Sequence, residues 1–328
     1  MVSFHFIFLF IDIQVCCYNF SYFHKMLHIF SSPPFYTKYV HLPTADDPVP
    51  SHIRNNPKFW PFFKDTLGAL DGSHIHSSPP ASERAFSRNR KGFISQNCLF
   101  ACSFSLLFVY SYTGWEGSAT DARVYETACL TDLLIPAGKY FLADAGYPAC
   151  QELLIPYRGV RYHLAEWGRA NIRYEFFPLL ILLIHILVKR PSNKEELFNL
   201  RHASARNVIE RIFGVIKRRF RILLIAPEYG LDIQAQIPTA LCAIHNFIRI
   251  HDNEEGDLPG ENHNYDASNE DPPIATVTGA GEEEGVDVRR DHIAQAMWDD
   301  YQLVCMERGI GVDNTDLSDD EESDNMYD

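Results

Sequence analysis

Four acids stand where a carboxylate is chemically conspicuous. Asp71 ends the apolar run of LGALDG, and Asp144 ends that of YFLAD just before AGYP. Asp121 lies in GSATDARVYE, where a loop opens a helix, and Glu210 lies in HASARNVIERIFGVIKRRFR. Each has an ordinary reading. An Asp beside a Gly makes a turn, an Asp opening a helix caps it, and Glu210 has a helix partner in Arg206 four residues earlier. Together they have another. An Asp at the end of each of two strands and a Glu on a later helix can converge on one point, and converging carboxylates raise one another's pKa unless a cation neutralises them. A set of hard oxygen donors suits Mg²⁺ or Mn²⁺. A pair of such ions activates water and stabilises the leaving oxygen in phosphodiester cleavage.

Basic residues accompany these acids. Ile209, Phe213 and Ile216 mark a buried helix face, and Arg211, Lys217, Arg218, Arg219 and Arg221 surround it. Such a density can be a solvated face, but it suits phosphate contacts better. Arg88, Arg90 and Lys91, followed by a glycine, form a second cluster fit for a nucleic-acid backbone. His74 and His76 alternate along the chain after Asp71 and read as satisfied polar residues, with ligand orientation the alternative. No glycine-rich phosphate loop of the Walker type is present, which counts against nucleotide hydrolysis.

The elements that must position these groups are legible in outline. LGALDG reads as a strand, QNCLFACS and SLLFVYSYTG as two paired strands, and KYFLADAGYP as a further strand ending in a turn. EGSATDARVYETACLTDLL reads as a loop and helix. NKEELFNLRHASARNVIERIFGVIKRRFRIL and IQAQIPTALCAIHNFIRIH carry helical periods. Strands first and helices after give an α/β core. Residues 1–60 form an atypical N-terminal segment, aromatic and then Pro-rich. Residues 61–251 form the globular body. Residues 252–328 read as an acidic, mostly disordered tail, with one short helix at about 289–308.

Charge follows the same division. The 328-residue chain has a formal charge of −14, but residues 252–328 hold 24 Asp or Glu against 3 Arg, a net −21. The first 251 residues are therefore net +7, and a basic body admits a polyanionic partner. The eight cysteines form no Cys-x-x-Cys pair, which points to a reducing compartment and no structural zinc. FHFIFLFIDIQVCC and FFPLLILLIHILV are apolar but short or interrupted, and both read as non-membrane.

The motifs LDGSHI, RNRKG, GWEGSATDARVY, YFLADAGYP, ELLIPYRG, HASARNVIERIFGVIKRRFRIL and CAIHNFIR, in that order from about Phe62 to His251, resemble the DDE endonuclease domain of Harbinger-type (PIF/Harbinger) transposases. The resemblance implies an RNase H-like fold, a mixed sheet flanked by helices, and a nuclease using a divalent metal pair, Mg²⁺ or Mn²⁺. It implies Asp71, Asp144 and Glu210 as catalytic acids, with Asp121 among the metal ligands. Such folds place the second core acid at the end of a central strand, which favours Asp144 over Asp121 for the inner triad. It implies Arg88, Arg90, Lys91, Arg123, Lys217, Arg218 and Arg219 as nucleic-acid contacts. DNA is the implied partner, with a separate Myb-like DNA-binding protein and a homo-oligomer as further expectations, and the nucleus as location, with the cytoplasm as a second compartment. KRRFR is the candidate nuclear signal, although its place is on the folded helix.

Two departures from the family matter. An apolar stretch at about 174–188 falls between EWGRANIR and NKEELFNLRHASARNVIE, where the family has a short polar link. It reads as translated intron or a disruptive insertion that displaces the Glu210 helix. The N-terminal segment holds no recognisable helix-turn-helix and reads as the remnant of a DNA-binding region. The alternative function is therefore a catalytically dead, transposase-derived DNA- or protein-binding module. A different Mg²⁺-dependent phosphotransferase is a third reading.

Overall fold

A computed structural model describes residues 21–160, 190–252 and 283–308. Its centre is a five-stranded mixed sheet. The strands are β1 (Thr66–His76), β2 (Ser95–Cys102), β3 (Phe108–Glu116), β4 (Tyr140–Leu142) and β5 (Leu153–Leu154). Their spatial order is β3-β2-β1-β4-β5. β1, β2 and β3 pair antiparallel, whereas β4 joins β1, and β5 joins β4, in parallel. Three antiparallel strands followed by parallel additions on the β1 side give an α/β, RNase H-like sheet flanked by helices.

Successive residues of a strand point to opposite faces, and the two packed cores divide the sheet that way. Ala69, Cys98, Phe100, Cys102, Tyr140, Leu142 and Leu154 face one cluster. Leu67, Leu70, Leu99, Ala101, Phe141 and Leu153 face the other. Strands buried on both faces read as near-continuous apolar runs, and every residue of β2 is buried.

Helices cover both faces. Labelled in chain order, they are α1 (Phe35–Tyr39), α2 (Ser51–Arg54), α3 (Asp121–Thr131), α4 (Lys194–Arg219), α5 (Leu231–His251) and α6 (Glu283–Glu307). α3 buries Val124, Tyr125 and Ala128 on the second face. α4 and α5 cover the first, through Phe198, Ile209, Ile212, Ile237 and Ala243. The side chain of Asn193 caps α4 by accepting from Glu196 N–H at 2.8 Å, an interaction of about 1 kcal/mol. Glu195 and Glu196 in its first turn, and Lys217, Arg218 and Arg219 in its last, suit its dipole.

Three expectations are revised. β1 does not end at Asp71 but runs on to His76, because β2 pairs with it throughout (Asp71↔Phe100, His76↔Ser95). Asp71-Gly72 is therefore mid-strand and not a turn. The N-terminal segment, which shows no clear period and then a Pro-rich, loop-like composition, holds helices: residues 21–31 are helical, α1 and α2 follow, and Leu27, Tyr39, Ile53 and Phe59 join the first core. The tail helix starts earlier than its sequence pattern, at Glu283. It docks on the body. Arg289 donates to the Gln151 carbonyl at 2.7 Å, and Arg201 of α4 reaches Asp300 at 3.5 Å. The apolar stretch at about 174–188 and the rest of the acidic tail lie outside the described residues. No described helix is long and apolar enough to cross a membrane.

Candidate active site

Backbone register brings two of the acids side by side. In the parallel pair, Ala69 stands opposite Leu142. Two residues further along each chain are Asp71 and Asp144. Alternation gives Asp71 the same face as Ala69, the face α4 covers. Asp144 leaves the strand in the turn before Tyr147, where its Oδ1 accepts from Gly146 N–H at 2.8 Å.

α4 supplies the opposing groups. Residues 206, 210 and 217 recur at helical spacing on one side of it. Arg206 is nearly buried and bridges two acids. Its Nη1 donates to Asp71 Oδ2 at 2.9 Å, and its Nη2 donates to Glu210 Oε1 at 2.8 Å. The other oxygen of Asp71 accepts from Gly72 N–H at 2.8 Å. Two residues along β1, Ser73 accepts from Lys217 Nζ at 3.0 Å. The expected helix partnership of Glu210 with Arg206 is thus present, and the same guanidinium also holds Asp71.

Asp121 arrives from the other face, at the first turn of α3. Gly72 lets it in. A methyl group added at Gly72 would sit 2.2 Å from Asp121 Oδ1, so the missing side chain makes the passage through which this carboxylate approaches the strand. Asn97 of β2 fixes it, donating to Asp121 Oδ1 at 2.7 Å and to the Ala119 carbonyl at 3.0 Å.

The electrostatics record the crowding. Burial raises the pKa of Asp71, Arg206 opposes it, and Asp144, Asp121 and Glu210 add to the rise, leaving the carboxyl at about 8. Four acids from β1, α3, the β4 exit and α4 therefore act on one point. Among the described residues, however, no three His, Cys, Asp or Glu side chains are drawn close enough to hold a metal ion. Arg206 stands between Asp71 and Glu210 and supplies the counter-charge. In kind, the donors fit a hard divalent cation. They are all carboxylate oxygens, and Asp71 is under mutual repulsion that a cation would relieve. Three residues after Asp144, the Tyr147 hydroxyl is fully buried and has no hydrogen-bond partner among the described residues.

The basic residues fall into unequal groups. Arg90, Lys91, Arg123 and Arg218 are exposed. Arg88 is exposed too, with its guanidinium folded onto the Gly92 carbonyl. Lys217 is half-buried, and desolvation lowers its pKa, while nearby Cys98 and Asp71 oppose the fall. Arg219 turns to His245 of α5, at 2.9 Å. His74 shares a hydrogen bond with Ser95 at 3.1 Å, and the His76 ring packs on Phe93. Sequence reasoning did not select Arg206, Asn97, Ser73 or Tyr147 as site residues. Arg206 and Tyr147 carried a signal in their fixed spacing from Glu210 and Asp144. Asn97 carried none, because only strand pairing brings it to Asp121.

Comparison with known proteins gives a family. Residues 70–246 match the family described as DDE superfamily endonuclease. Among curated proteins, the chain is 24% identical over 219 residues to "Putative nuclease HARBI1" of Bos taurus, covering 66% of this chain and 54% of that protein. It is 25% identical over 189 residues to the protein of that name in Homo sapiens, covering 56% and 46%. The chain thus spans about half the length of the curated relatives it matches. No solved structure matches it.

Proposed function

The chain belongs to the DDE superfamily endonucleases, whose family match takes in Asp71, Asp121, Asp144 and Glu210, and on that premise we propose that it is a metal-dependent DNA nuclease of Harbinger transposase descent. The observation that carries this reading is the parallel register of β1 and β4. Its last pair, Ala69 opposite Leu142, lies two residues before both Asp71 and Asp144, and Arg206, on the helix that bears Glu210, reaches Asp71 and Glu210.

Asp71, Asp144 and Glu210 would hold the Mg²⁺ or Mn²⁺ ions, with Asp121 as a further ligand. When bound, a divalent pair supplies activation of the attacking water or DNA 3′-hydroxyl and stabilisation of the leaving oxygen. The protein's own groups do the rest. Lys217 places positive charge beside the acids, and Arg88, Arg90, Lys91, Arg123 and Arg218 extend it over the surface where a phosphate backbone would run. Arg219 is the weakest member of that set, because His245 engages its guanidinium. DNA as substrate, nuclear location, a Myb-like partner and self-association follow from the family reading.

One observation favours a second reading. Arg206 already neutralises Asp71 and Glu210, and a chain that keeps that pairing in the presence of metal is a binding module without turnover. Nicking of supercoiled plasmid in Mn²⁺ separates the two. The nuclease reading expects nicking that is lost in Asp71→Asn by on the order of a thousand-fold, equivalent to about 4 kcal/mol. DNA retention without nicking by the wild type contradicts it.

A further inference from the structure

We propose that Tyr147 is a positioning residue of this site, its hydroxyl being the hydrogen-bond donor that orients the Asp121 carboxylate toward a bound divalent cation. Tyr147 lies three residues after Asp144, in the turn that leaves β4. Its ring is packed in the second core with Leu70, Val124, Tyr125 and Phe141, edge-on to Tyr125 at 6.0 Å between centroids. Nothing in that apolar packing needs a hydroxyl, and phenylalanine would fill the same space. Yet the hydroxyl is present, buried, and without a partner among the described residues.

A buried donor left unmade costs roughly 1–3 kcal/mol, and such groups in native folds call for an explanation. The charges around this one supply it. Burial raises the pKa of Tyr147 well above the phenol range, and Asp121, Asp71 and Asp144, in that order, raise it further. The packing agrees: the Tyr147 ring lies edge-on to Tyr125, one turn along α3 from Asp121, and follows Asp144 by three residues, which brings it beside the start of the helix that Asp121 opens. Each acid is engaged elsewhere: Asp121 by Asn97, Asp71 by Arg206 and Gly72, Asp144 by Gly146. With a cation bound, a fixed donor behind Asp121 would hold its carboxylate in place as a ligand, the usual task of groups that support metal ligands.

This assignment rests on the cluster being a cation site. The experiment measures Mn²⁺ affinity by the electron paramagnetic resonance signal of free Mn²⁺, and melting of the metal-free chain, for wild type, Tyr147→Phe, Asp121→Asn and the double variant. The expected result is Mn²⁺ binding weakened by roughly 10–100-fold in Tyr147→Phe, with metal-free melting unchanged or raised. In the Asp121→Asn background the Phe substitution adds nothing, because Tyr147 acts through Asp121. Equal Mn²⁺ affinity in wild type and Tyr147→Phe overturns the role of Tyr147 and leaves the nuclease reading standing. A lowered metal-free melting temperature also overturns it, since the hydroxyl would then be bonded within the fold. A wild-type chain that binds no Mn²⁺ removes the cation site and this inference together.

Discussion

The strand-borne and helix-borne acids are held in different ways. Asp71 is placed by the β1–β2 ladder, where it stands opposite Phe100, Asp144 by the turn that follows β4, and both by short contacts to neighbouring backbone. Glu210 is placed by the rotation of α4 and held by one guanidinium, with half of its side chain in solvent. A ladder fixes position to within the geometry of the sheet. A helix adjusts by small sliding and rotation, and an exposed side chain by changing rotamer. Asp71 and Asp144 are thus the rigid half of the site and α4 the adjustable half. Arg206 joins them, because it reaches Asp71 and Glu210 at once.

The joint between the halves should respond to acid. One turn before Arg206, the His202 ring lies fully buried, 2.8 Å from the Leu154 carbonyl of β5. Burial pushes its pKa down to about 3. The folded state therefore keeps this ring neutral while the unfolded chain protonates below about 6.5. Its contribution to stability is complete above that pH and is lost as pH falls. Between pH 6.5 and about 3, wild type is expected to lose about 1.4 kcal/mol per pH unit more than His202→Gln. Urea melts of both proteins across that range check the difference; parallel curves would mean that the ring is not what ties α4 to the sheet.

A smaller effect is expected at Arg206. A positive group beside a carboxylate opposes a divalent cation about twice as strongly as it opposes a proton, so removing it favours the ion even though the carboxyl becomes a weaker acid. Arg206→Met is expected to bind Mn²⁺ on the order of tenfold more tightly near pH 8, measured by titration calorimetry. Weaker binding would show that the guanidinium supports Glu210 and does not compete with the metal.

Much of this was legible in the order of residues. Apolar runs on both faces announced β2 and the centre of β1, and helical periodicity announced α3, α4 and α5. The four acids stood at recognisable motif positions. What sequence could not show was pairing. Asp71-Gly72 has the local look of a turn, and only the long β2 partner keeps it extended. Gly72 matters because Asp121 passes beside it, and Asn97 because β2 lies next to β1. The N-terminal helices were missed because their apolar residues have no clear period and take their packing partners from the distant α5 helix. Arg206 looked like a surface partner of Glu210, since spacing along a helix says nothing about the strand beneath it.

The most direct measurement is X-ray diffraction from crystals grown in Mn²⁺, collected at the manganese absorption edge. The expected result is an anomalous peak between the Asp71 and Asp144 carboxylates, with Arg206 released from at least one of its two acids. Saturating Mn²⁺ with no peak at Asp71 and Asp144, and Arg206 still bridging Asp71 and Glu210, would contradict the proposal that these acids form a metal-dependent active site.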